Sequence, residues 1–74
     1  MNKLLKATID FYEAQKSEAE ATLDVYFNKS VGIGEHSNLL DEIKKWTSKL
    51  AEAKENLEVL QEFNTDKEKV LLKD

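Results

Sequence analysis

Lys29-Ser30-Val31-Gly32-Ile33-Gly34-Glu35-His36-Ser37 holds the only two glycines of a 74-residue chain that has no proline. On each side lie about twenty-five residues whose apolar positions recur at helical spacing. Glycine closes helix ends because it enters the left-handed region without a Cβ clash, so Gly32 or Gly34 can terminate a first helix. The stretch therefore predicts a reversal between two helices of equal length. The fold class is all-α, an antiparallel, coiled-coil-like two-helix hairpin in a single domain over residues 1–74. Its parts are a helix at about 3–28, a loop at about 29–37, a second helix at about 38–63 and a tail at 64–74.

Leu5, Ile9, Tyr12, Lys16, Ala19, Leu23 and Tyr26 alternate spacings of four and three. That is a heptad seam with one lysine in it. A second row runs beside it: Leu4, Ala7, Phe11, Ala14, Glu18, Ala21 and Val25. It is expected as an adjacent face, about a hundred degrees around the helix. One face can pack on the second helix. The other needs a different cover, and Leu4, Ala7, Phe11, Ala14, Ala21 and Val25 form the expected self-association surface.

Leu39, Ile43, Trp46, Leu50, Ala53, Leu57 and Leu60 form an uninterrupted seam in the second helix. Ser37 or Asn38 is the expected N-cap, with Asp41 and Glu42 in the favourable first turn. Asp41 with Lys45, and Lys54 with Glu58, are spaced for supporting ion pairs. Two heptad registers fit an antiparallel pair. One sets Leu23 near Trp46 and Ile9 near Leu60. The other sets Lys16 near Trp46, a cation–π geometry. In the tail, Thr65-Asp66-Lys67-Glu68 matches a capping box and can open a separate short helix. The alternative runs helix two onward, since Leu71 continues its seam after Asn64 and Lys67.

Composition narrows function by exclusion. A core of this size supplies only ~3–5 kcal/mol, so a staple or a partner subunit is expected. The chain has no cysteine for disulfides or thiolate metal sites, and its one histidine excludes a His-pair zinc motif. Self-association into a homodimeric four-helix bundle is the expected source of stability. The net charge is −4 and all 11 basic residues are lysine. Lacking arginine, the usual bidentate reader of phosphate and guanine, the chain is not expected to bind nucleic acid. No apolar run approaches a membrane span and no signal-peptide core is evident, so a cytoplasmic protein without a membrane partner is expected.

The candidate sites read mostly as structure. His36 beside Glu35 and Ser37 would need a nucleophile and an orienting partner to act as a base, and a solvent-exposed histidine is the preferred reading. Gly32-Ile33-Gly34 can form an anion nest, but it lacks the lysine and hydroxyl of a Walker loop, and no strand precedes it as in a dinucleotide fingerprint. Glu52, Glu55, Glu58 and Glu62 line one helix face like a metal row, yet they point away from the seam and read as solvated. Lys16 can snorkel along Trp46 or Ala53, reach Glu13 or Glu20, or fix register. Tyr12, Tyr26, Phe27 and Trp46 at helical spacing read first as core. Phe11 and Phe27 fall off the main seam and suit an intersubunit or partner contact. Phe27, Val31 and Ile33 form the candidate partner surface, with a structural plug at the bundle end as the alternative. No catalytic residue, cofactor or metal ligand is assigned, and the protein is not expected to be an enzyme.

The segment Val25-Tyr26-Phe27-Asn28-Lys29-Ser30-Val31-Gly32-Ile33-Gly34-Glu35-His36-Ser37, leading into Asp41-Glu42-Ile43, resembles a stretch in small helical-hairpin proteins of T4-like tailed phages, including marine ones. A fainter similarity is to the small tail-fibre assembly chaperone of such phages, which also joins helical segments through a Val-Gly-Ile turn. The resemblance implies a phage-encoded protein in the host cytoplasm and carries over no residue roles. The functional expectation is a non-enzymatic helical interaction protein. Its rivals are an assembly chaperone for a coiled-coil partner and an acidic inhibitor of a basic, nucleic-acid-binding protein.

Overall fold

The computed structural model describes residues 2–29 and 38–64. Helix α1 spans Lys3–Asn28 and α2 spans Leu39–Gln61, and the two pack against each other as an antiparallel hairpin. The glycines, Val31, Ile33, His36, Ser37, the capping box at Thr65 and Leu71 lie outside the described residues.

Helix α1 starts where a side chain replaces its missing hydrogen-bond acceptors. The Asn2 Oδ1 accepts from the amides of Leu4 at 2.7 Å and Leu5 at 3.1 Å. Two of the four orphan amides of the first turn are thereby satisfied. At the other end the Lys29 amide donates to the Val25 carbonyl at 2.8 Å. The hydroxyls of Thr8 and Thr47 turn back onto the Leu4 and Ile43 carbonyls at 2.8 and 2.7 Å. Both threonines are thus absorbed into their own helices.

Helix α2 begins at Asn38, whose carbonyl accepts from the Glu42 amide at 3.0 Å while its side chain makes no capping bond. Asp41 and Glu42 occupy the first turn, where the helix dipole favours negative charge. The helix ends two residues short of Phe63. There the amides of Glu62, Phe63 and Asn64 donate to the carbonyls of Val59, Leu60 and Gln61, three residues back. That tighter winding uses up carbonyls which a continuing α-helix would leave for later residues.

Every member of both heptad seams is buried or half-buried. Among the described residues the core is thin: Ala19, Leu23, Ala53 and Leu57 are the buried apolar side chains. The two alanines are completely covered, at 0% exposure. At about 1.5–3 kcal/mol for a buried leucine, such a core leaves the hairpin thinly stabilised by itself.

The register follows from one side chain. The Gln15 amide Nε2 donates to the Lys49 carbonyl at 3.0 Å and to Glu52 Oε1 at 2.8 Å. Residue 15 therefore stands level with 49–52. The first expected register requires Lys54 at that level and the second requires Thr47, so the helices settle between them. At the observed level Ala19 stands opposite Trp46, and Tyr12 opposite Ala53. An aromatic ring meets a small residue at both levels, which fills space without forcing the backbones apart. This third register also sets seam residues against seam residues, so it keeps the heptad pattern.

Two further expectations change. Averaging 100° per residue over each row of α1 separates their centres by about 140°. The second row is therefore nearly opposite α2, not adjacent to it. The expected ion pairs are also replaced. Lys6 bonds Asp10 at 2.7 Å, and Lys45 approaches Glu42 at 3.8 Å, not Asp41. Lys54 and Glu58 form no pair among those of the described residues. These are exposed pairs of small energetic weight.

Candidate interaction surfaces

Leu4, Ala7, Phe11, Ala14, Ala21 and Val25 are all exposed, as is Glu18 between them. The large members stand far out of the fold: Leu4 is 79% exposed, Phe11 61% and Val25 46%. The hairpin therefore places all six expected residues on one uncovered face of α1. Small and large residues alternate along it, with the alanines seven apart. Phe11 leans on the half-buried Tyr12, ring centroids 4.9 Å apart and nearly perpendicular. That edge-to-face pair joins the bare face to the seam.

Phe27 is also exposed, but it does not share this face. It lies sixteen positions beyond Phe11, about 160° around the helix. It follows the seam residue Tyr26 by one, as Leu40 follows Leu39, so both fall on the same flank at the loop end of the hairpin. Both are more than half exposed. Their candidate companions Val31 and Ile33 lie outside the described residues.

Lys16 is half-buried on its seam and makes no ion pair with Glu13 or Glu20. It does not stand over Trp46. The lysines that do are Lys45 at 5.2 Å and Lys49 at 5.7 Å, both from the ring's own helix. The expected Lys16–Trp46 contact is not made, because the intermediate register sets Lys16 level with Leu50. Glu52, Glu55, Glu58 and Glu62 are exposed, and Glu52 serves as the anchor for Gln15.

Several residues had no place in the seam reading. Gln15 precedes Lys16 by one and Lys49 precedes Leu50 by one, so both flank the helix contact on the same side. That flanking position was the available signal for their hydrogen bond. Val59 and Phe63, both exposed, bring further apolar surface to the end of the hairpin where Leu4 lies. Asn64 falls on the next seam position after Leu60 and is 7% exposed. Its Oδ1 has no hydrogen-bond partner among the described residues.

Among those residues no three carboxylate, imidazole or thiol groups gather where they could hold a metal ion. No described helix is long and apolar enough to cross a membrane. The surface chemistry is thus that of apolar faces edged by charge. No protein-family model matches the chain, and no curated protein or solved structure compared with it matches either.

Proposed function

We propose that this chain is a non-enzymatic helical interaction protein that works as a self-associated assembly, two hairpins joining into a four-helix bundle through α1. One observation carries the reading. A row as long as the packed seam, apolar but for Glu18, lies bare on a hairpin whose described residues include four buried apolar side chains. Monomeric proteins seldom leave a contiguous apolar strip of that length in water, and small cores commonly gain stability from a second subunit. The alanines let two backbones approach closely. The resemblance at residues 25–37 adds that such a module is phage-encoded and acts in the host cytoplasm.

Sedimentation velocity across micromolar concentrations tests the reading. The wild type is expected to sediment as a dimer. Ala14→Glu, which sets a charge in the middle of the contact without touching the seam, is expected to give a folded monomer. A wild type that stays monomeric at high micromolar concentration rejects the proposal.

A further inference from the structure

The bare row specifies how a second copy would sit on it, an inference that rests on the self-association just proposed. We infer that two copies dock α1 to α1 in antiparallel orientation, about a two-fold axis passing near Ala14. Lys3 of each copy then lies beside Asp24 of the other.

Three features fix the orientation. The first is shape. Centred on Ala14, the antiparallel pairing sets Leu4 level with Val25 of the second copy. Phe11 enters the gap between that copy's Ala14 and Ala21, beside its Glu18. The alanine levels coincide, Ala7 with Ala21 of the second copy and Ala14 with its own counterpart, so the backbones can approach closely there while the two Phe11 rings stay apart. The second is Glu18, the only charged member of the row. A parallel pair would set each Glu18 against its own copy, two like charges on one seam. The antiparallel pair separates them by about seven residues, roughly 10 Å along the axis. The third is the charge beside the row. Lys3 and Asp24 are exposed and lie on the same edge of the row at opposite ends. Antiparallel docking brings each to the other twice; parallel docking brings neither to an opposite charge.

The occupant is a second copy because the surface complements itself under this one rotation. The row from Leu4 to Val25 is about 32 Å long. A contact of that length between two helices alone falls short of the roughly 800 Å² per partner of a standard interface. Val59 and Phe63, exposed beside Leu4, widen it at each end of the pair.

The chain has no cysteine, so single thiols can be placed at will. Ala7→Cys and Ala21→Cys, each on the exposed row, are mixed with one isotopically labelled and then oxidised. The antiparallel pair is expected to give mixed 7–21 disulfides in about tenfold excess over either like pair, since a disulfide needs Cα atoms roughly 4.4–6.8 Å apart. Predominant 7–7 and 21–21 products would overturn the orientation. Absence of cross-links in a sample that sediments as a dimer would overturn the surface. A monomeric sample would remove the underlying reading instead, so the two failures remain distinct. A charge swap gives a second readout. Lys3→Asp and Asp24→Lys are each expected to weaken dimerisation about five-fold, and the double variant to restore it. Each substitution puts a favourable charge near its own helix end, so folding is preserved. Failure of the double variant to recover overturns the Lys3–Asp24 pairing.

Discussion

Two rows of seven residues run along α1 with the same spacing, and they meet opposite fates. Leu5, Ile9, Tyr12, Lys16, Ala19, Leu23 and Tyr26 are buried or half-buried against α2. Leu4, Ala7, Phe11, Ala14, Glu18, Ala21 and Val25 are bare. Each row has one charged member, Lys16 in the first and Glu18 in the second. Periodicity alone therefore does not say which face a hairpin uses. The larger apolar content of the first row, with Leu5, Ile9, Tyr12, Leu23 and Tyr26 against Leu4, Phe11 and Val25 on the second, favours the one that α2 covers. The hydrophobic term is roughly proportional to the area removed from water.

The strongest way to break this comparison is to place the same charge on both rows. Ala19→Glu puts a carboxylate at a fully covered position, where an unpaired charge costs several kcal/mol. The hairpin should lose its helical circular dichroism. Ala14→Glu should leave the spectrum of dilute protein nearly unchanged. If both variants unfold alike, the two faces are not energetically distinct.

A leucine pair sharpens the contrast at smaller scale. Leu57→Ala removes a core side chain and should destabilise the chain by about 2–3 kcal/mol in urea melts. Leu4→Ala should stay within about 0.5 kcal/mol in protein dilute enough to be monomeric. An equal loss from both would mean that Leu4 is covered within one chain.

Gln15 tests what holds the two helices level. Gln15→Ala removes two interhelical hydrogen bonds, and a melting shift worth about 1 kcal/mol is expected. No shift would mean that the packing of the two seams sets the register without these bonds. The smallest effect belongs to Asn2. Asn2→Ala should cost about 0.5–1 kcal/mol and speed hydrogen exchange at the Leu4 and Leu5 amides, leaving the seam amides protected.

Element boundaries and the packed faces were legible in the sequence because they follow from local spacing. Every member of the two seams named from heptads is buried or half-buried, though residues beside them such as Gln15 and Lys49 are half-buried too. Helix α1 starts at Lys3 as expected, and Asn2 immediately before it is the ready signal. The register was less legible. More than one register keeps seam against seam, and the one adopted is marked by Gln15, a glutamine one position off the seam. Register is a property of two helices together, not of either alone. The placement of the bare row nearly opposite α2 was available from simple angular averaging. Of the expected loop-end surface only Phe27 is among the described residues, and Val31 and Ile33 lie outside them.

The two covered alanines have a consequence for how this chain can drift over generations. At residues 19 and 53 a larger side chain would collide with the opposite helix, and glycine would weaken the helix by about 1 kcal/mol. Each alanine is thus held in place by the ring standing level with it. Positions 19 and 46, and positions 12 and 53, should change together or not at all. A descendant that gains bulk at one member should show reduced volume at the other. That paired exchange would trace the register of this hairpin through inheritance, even where the rest of the seam had been rewritten.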